Sequence, residues 1–242
     1  MILSPDALKS LRGRLIVSCQ AYPGEPMRDP RTTAQVAASA VIGGAAAVRV
    51  QGVADIQHTR SAVEVPVIGL WKDGHDGVFI TPTLRHALAV ANAGAHVVAI
   101  DGTRRERPDG LSLAQTVAGI HAESHALVMA DCGSLQDAAA AVEAGADLVG
   151  TTLAGYSGER PKTSGPDLDL LAEIAAAGFG VPLIAEGRIH TPSQARQALD
   201  AGAFAVVVGT AITHPATITG WFADALTQPG QQDSPEVLRA AL

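Results

Sequence analysis

Two hydrophobic patterns alternate along the chain. Short apolar runs rich in Val and Ile recur at Leu15–Cys19, Ala46–Val50, Pro66–Trp71, His96–Asp101, Ala126–Asp131, Asp147–Thr151, Pro182–Glu186 and Ala205–Gly209. Runs that short and that apolar read as strands covered on both faces. Between them lie Ala-rich segments with helical spacing, among them Gln35–Ile42, Leu84–Ala93, Gln136–Ala144, Leu168–Ala177 and Pro192–Ala201. Eight alternations predict βα units and a parallel sheet.

A weak repeat points to closure of that sheet. The strings G-G-A at Gly43 and A-G-A at Ala93, Ala144 and Ala201 each precede a strand. Their spacing of roughly 50 to 57 residues is that of two βα units. Glycine just past a helix takes the left-handed conformation cheaply and turns the chain into the strand. Val65-Pro66 and Val181-Pro182 introduce two further strands. The competing architecture, a doubly wound open sheet, calls for a Gly-rich phosphate loop after the first strand. Here that segment is Q-A-Y-P-G-E-P, without G-x-G-x-x-G. The expectation is therefore a (β/α)₈ TIM barrel of the α/β class. It forms one domain over 1–242, with the barrel from about residue 15 to 227 and a polar tail over 228–242 carrying at most a short last helix.

Composition fits this picture. The 242 residues are close to the size of one such barrel, and with aromatics at 3% the core must be built from Ala, Val, Leu and Ile. A formal net charge of −7 argues against a nucleic-acid partner. It does not exclude a small anion, which a few backbone N–H groups and one Arg can hold. No apolar run reaches the roughly 18 residues of a membrane span, and the opening M-I-L-S-P-D lacks the pattern of a leader. Cys19 and Cys132 stand far apart, outside any C-x-x-C pair, so the default expectation is a reduced, cytoplasmic compartment.

Barrel active sites lie where strands end. The polar residues there are Gln20, Arg49, Lys72, Asp101, Asp131, Thr151-Thr152, Glu186 and Gly209-Thr210. Lys72 is one of three lysines, and it alone follows a strand run directly. Partial desolvation there would lower its pKa and fit it for proton transfer. The plainer alternative is a solvated lysine opening the D-G-H-D-G loop. Glu186 is either a second acid–base group or an orienting partner for Lys72, or else half of a structural ion pair with an arginine such as Arg188. For Asp101, binding a sugar hydroxyl or capping the next helix is favoured. Gly187 and Gly209-Thr210, on the loops after the seventh and eighth strands, could bring backbone N–H groups to a phosphate. Arg49 is a good bidentate partner for phosphate or carboxylate. Thr152 is a substrate-binding candidate. His58, His86, His121 and His125 fall in helix-like segments. The histidines form neither H-x-x-x-H nor H-E-x-x-H, so no metal is expected.

More specific strings run along the chain. They are L-I-V-S-C-Q-A-Y-P-G-E-P from Leu15, A-A-V-R-V-Q-G-V from Ala46, P-V-I-G-L-W-K from Pro66, I-T-P-T from Ile80 and R-P-D-G from Arg107. M-A-D from Met129, D-L-V-G-T-T-L-A-G-Y from Asp147, I-A-E-G-R-I-H-T-P from Ile184 and V-V-V-G-T-A-I-T from Val206 complete the set. From about Leu15 to Trp221 the chain resembles the N-acetylmannosamine-6-phosphate 2-epimerases of sialic acid catabolism. The resemblance implies interconversion of N-acetylmannosamine 6-phosphate and N-acetylglucosamine 6-phosphate by proton transfer at carbon 2 of the ring-opened sugar. No cofactor is implied, and the partners are a small amino-sugar phosphate and a second copy of the chain in a homodimer. Lys72 matches the family's catalytic lysine and Glu186 the glutamate beside it. Gln20, Arg49 and Asp131 match positions around the substrate, and Gly187, Gly209 and Thr210 match the phosphate loops. One departure stands out: family members often carry A-I-T-R-P where this chain has A-I-T-H-P. Phosphate contact then falls to His214 or to Arg188. The competing readings are another phosphate-binding barrel, of ribulose-phosphate epimerase, thiazole synthase or indole-glycerol-phosphate synthase type, and a non-catalytic sugar-phosphate binding protein on the same scaffold.

Overall fold

A computed structural model describes residues 8–227; the expected tail over 228–242 lies outside them. Eight parallel strands close into a barrel in chain order. They are β1 (Leu15–Cys19), β2 (Ala47–Gln51), β3 (Val67–Leu70), β4 (Val97–Asp101), β5 (Leu127–Asp131), β6 (Leu148–Gly150), β7 (Leu183–Glu186) and β8 (Ala205–Val208). The first and last pair through Leu15↔Val206 to Val17↔Val208, which closes the ring. Around it lie α1 (Pro30–Ile42), α2 (Val53–Ala62), α3 (Leu84–Asn92), α4 (Leu113–Glu123), α5 (Leu135–Glu143), α6 (Leu168–Ala177) and α7 (Pro192–Asp200). A single turn, α8 (Thr210–Thr213), and a final helix, α9 (Pro215–Thr227), follow β8.

Strand alternation sorts the apolar residues into two layers. Ile16, Ala47, Ile68, Leu70, Val97, Ala99, Met129, Leu148, Ile184, Ala205 and Val207 fill the barrel interior. Their neighbours Val17, Val48, Val50, Val67, Val98, Ile100 and Val128 pack outward against the helices. Small residues let the layers approach: a Cβ added at Gly69 would sit 2.7 Å from Ala95 Cβ and 2.8 Å from Val90 Cγ1.

Local sequence sets the helix ends. Asp29, Thr83, Ser112, Ser134, Asp167 and Thr191 each accept a backbone N–H of the helix they precede. The repeat glycines Gly44, Gly94, Gly145 and Gly202 all take positive φ, 91° to 105°, and reverse the chain into the next strand. Helix α1 begins five residues before the Gln35 start expected from spacing. Its N-terminus is made by the Asp29 cap and Pro30 rather than by apolar periodicity. His125 lies beyond the end of α4, not in a helix. Helix α9 has no buried residue, and Phe222 and Leu226 are 70% and 86% exposed. Among the described residues, no helix is long and apolar enough to cross a membrane.

Candidate active site

The polar interior begins where the apolar layers stop, at the carboxyl ends of the strands. Arg49 is its centre. The sequence reading puts it at a strand end, but it lies inside β2, two residues short of the end, on the inward face. Its guanidinium is 1% exposed and grips Asp131 in bidentate fashion, Nη1 to Oδ1 at 3.0 Å and Nη2 to Oδ2 at 2.5 Å. Nη1 also lies 2.8 Å from Glu186 Oε2. One cation from β2 thus contacts carboxyl groups from both β5 and β7. Thr152 completes the group, donating to Asp131 Oδ1 at 2.7 Å and to Glu186 Oε2 at 3.2 Å.

Glu186 therefore pairs with Arg49, across the barrel, and not with its near neighbour Arg188. Its main chain is fixed by Thr151, whose hydroxyl donates to the Glu186 carbonyl and accepts its N–H. Oε1 has no protein partner among the described residues. Desolvation raises the Glu186 pKa above the ordinary carboxylate value, with Arg49 opposing and Asp131 reinforcing the shift.

Lys72 stands on a built support. Its backbone pairs with Ile80 in an antiparallel bridge, and Asp73 donates to the Phe79 carbonyl. The segment after β3 thus folds back as a short hairpin instead of an open loop. Thr81 locks the base of this hairpin at φ 47°: its hydroxyl accepts Trp71 N–H and donates to the Ala99 carbonyl. The ammonium lies 5.7 Å from the centre of the Tyr22 ring. It forms no ion pair with Glu186 or Asp131 within 4 Å, although both act on its charge. Its pKa is lowered, first by desolvation and then by the Arg49 cation, with Glu186 and Asp131 opposing. Burial and the Arg49 cation together thus outweigh the pull of the two carboxylates on the Lys72 pKa.

The remaining expected residues divide. Gln20 donates from Nε2 to Ser18 Oγ at 2.7 Å, which leaves a buried Oε1 without a partner. Gly187 has φ 118°, and Gly209 stands at the start of α8. In that first turn the Thr210 and Ala211 amides have no intrahelical acceptor. Arg188 stands beside these loops, half-buried. Its guanidinium donates to the Ala154 and Gly165 carbonyls and to Thr163 Oγ1, tying down the loop after β6. His214 is 4% exposed and lies against the Tyr22 ring, centroids 4.8 Å apart, with Nδ1 3.5 Å from Glu25 Oε1. Asp101 is fully buried and holds its own loop. It accepts Thr103 N–H, Thr103 Oγ1 and Arg105 Nη2, and its carbonyl accepts Arg107 Nη2.

Three neighbours of this group escaped the sequence reading. Ser18 and Gln51 share the inward face with Ile16 and Arg49, so strict alternation was the signal that could have found them. Tyr22 over Lys72 had no such signal.

Residues 33–228 match the family model NanE, described as "Putative N-acetylmannosamine-6-phosphate epimerase". A relative from Cutibacterium acnes named "Putative N-acetylmannosamine-6-phosphate 2-epimerase" is 61% identical over 220 residues, 90% of this chain and 96% of that one. The solved N-acetylmannosamine-6-phosphate 2-epimerase from Clostridium perfringens superposes with a TM-score of 0.85 at 39% identity, over 90% of this chain and 95% of that one. A thiamine phosphate pyrophosphorylase from Pyrococcus furiosus, at 19% identity and TM-score 0.57, shares the fold.

Proposed function

The chain belongs to the N-acetylmannosamine-6-phosphate epimerase family, and on that premise we propose that it interconverts N-acetylmannosamine 6-phosphate and N-acetylglucosamine 6-phosphate with Lys72 and Glu186 as a two-base pair. The supporting observation is that both groups stand at the carboxyl ends of strands of one closed barrel and form no ion pair with each other within 4 Å among the described residues. A gap between two proton carriers is what a carbon atom needs for a proton to leave one face and return to the other. Their shifts support the same assignment: a lysine pushed toward the neutral amine can accept a proton, and a glutamic acid with raised pKa can donate one.

The cyclic sugar has no free carbonyl, so ring opening comes first. The aldehyde at carbon 1 then acidifies the proton on carbon 2. Lys72 Nζ takes that proton, the electron pair delocalises to the carbonyl oxygen as an enolate, and Glu186 Oε1 returns a proton to the opposite face. Arg49 and Thr152 hold Glu186 Oε2, so that Oε1 remains for the substrate. Gln20 and Asp131 line the sugar, and the amides of Gly187, Gly209 and Thr210 receive the phosphate. Arg188 serves the phosphate indirectly, by holding the loop beside it.

Deuterium exchange in heavy water tests the pair. Lys72→Gln should lose both epimerisation and exchange at carbon 2 of the epimer whose proton faces Lys72. Glu186→Gln should lose epimerisation yet still exchange that one epimer. Equal loss of exchange for both epimers in Glu186→Gln would exclude the two-base scheme.

Two further readings belong to this proposal. The uncovered apolar face of α9, with Phe222 and Leu226, supports a homodimer. The two free, buried cysteines support a reduced cytoplasmic compartment.

A further inference from the structure

Gln51 closes β2 with its side chain on the inward face, one alternation above Arg49. It is 7% exposed. Its Oε1 is sealed from solvent and has no hydrogen-bond partner; its Nε2 also has no partner among the described residues but is not sealed. Buried amides are ordinarily hydrogen-bonded, so one left with free capacity at the edge of a reaction site marks a place where substrate docks. The polar side chains nearby are engaged through most of their atoms, with Gln20 Oε1, an acceptor only, and Arg49 Nε also left open. Arg49 is held by Asp131 and Glu186, Gln20 donates its N–H to Ser18, and Asp101 on the far side of Lys72 holds Thr103 and Arg105.

Register fixes what Gln51 can reach. It pairs with Leu70 on the adjacent strand, and Lys72 follows Leu70 by one alternation on the same face. Gln51 therefore lines the wall directly beside the catalytic amine. The group that stands beside the carbon served by Lys72 is the substituent on that carbon, an acetamido group. A carboxamide matches it: the Nε2–H can donate to the acetamido carbonyl. A carboxylate here would add a further negative charge next to Lys72 and repel the phosphate; a neutral amide does neither.

We propose that Gln51 is the residue that reads the acetamido group on carbon 2, and so selects N-acylated amino sugars and sets the orientation of the carbon 2 proton toward Lys72. The assignment rests on the epimerase reading above. Two stable open-chain inhibitors separate it from a merely structural role: 2-acetamido-2-deoxyglucitol 6-phosphate and glucitol 6-phosphate, which differ only at carbon 2. Affinities are measured by calorimetry for the full chain and for Gln51→Met. The acetamido compound should bind about ten- to a hundred-fold more weakly to the variant, while glucitol 6-phosphate changes less than about two-fold. If Gln51→Met does not fold, Gln51→Glu is used, since the ratio of the two affinities cancels the effect of the added charge on both. A ratio unchanged from wild type, or equal weakening of both compounds, overturns the assignment of Gln51. Absence of epimerisation by the unaltered enzyme would instead overturn the reading on which it rests.

Discussion

Replacing Arg49 with Met removes one buried cation and leaves two buried carboxylates facing each other. The bidentate contact to Asp131 and the 2.8 Å contact to Glu186 both vanish, in a place where Arg49 is 1% exposed. Breaking such a group by removing one partner costs about 3 to 5 kcal/mol, chiefly because the surviving charges stay desolvated. For a protein of this size that corresponds to a fall in Tm of about 6 to 20 °C. The deficit should depend on pH in one direction. Glu186 already has a folded-state pKa above its ordinary value, and Arg49 is the strongest influence opposing that rise. Without Arg49 the pKa climbs further. A carboxyl whose folded pKa exceeds its unfolded one weakens the fold above that pKa and ceases to do so below the unfolded value. The deficit is therefore larger at about pH 7.5 than at about pH 5.5. One proton over about two pH units returns up to about 2.7 kcal/mol. Urea denaturation followed by far-UV circular dichroism at about pH 7.5 and about pH 5.5, on wild type and variant, reads both quantities. A deficit under about 1 kcal/mol, or one equal at both pH values, would refute the claim that Arg49 is the counter-charge of this site.

Two other outcomes follow from features away from the mouth. His96 accepts the Val67 N–H on Nδ1 at 3.0 Å, and burial pushes its pKa down to about 4. Its folded pKa lies below the unfolded value, so its contribution is complete above about pH 6.5 and is lost as pH falls toward about 4, by roughly 2 to 4 kcal/mol; in His96→Asn, denaturation across that range should lack this slope. Gly69→Ala drives a methyl to within 2.9 Å of Ile56 Cδ1 as well as into Ala95 and Val90. It should cost about 1 to 3 kcal/mol in a thermal melt and leave turnover at permissive temperature intact; an unchanged Tm would show that the strand and helix layers yield there.

The barrel was legible because its strands are apolar on both faces. Each observed strand lies within about one residue of the run that predicted it, and the repeat glycines are the helix-to-strand reversals. Helix α2 was harder to delimit: V-A-D-I-Q-H-T-R-S-A has little apolar stripe, and Gly52 before it offers no side-chain cap. Lys72 and Glu186 could be found from position, since each stands where a strand stops. Their environment could not. Adjacency in sequence offered Arg188 to Glu186, yet φ 55° at Arg188 accompanies a guanidinium bound to the loop after β6, and the true partner comes from β2. Gln51 leaves little trace because the apolar run ends at Val50, although the inward parity of Arg49 carries one step further. Contacts across a closed ring leave no trace in local spacing.

The ring of charges spans the chain from early to late: the arginine arrives with the second strand, one counter-ion with the fifth and the other with the seventh. As the protein emerges from the ribosome, this arginine has no acidic partner from the group for a long stretch and then only half of its final complement. A fragment ending before the seventh strand would carry the amine without the acid that answers it. On the proposed pairing of Lys72 with Glu186, splitting the gene at its midpoint should give two inert pieces whose activity appears only when they rejoin.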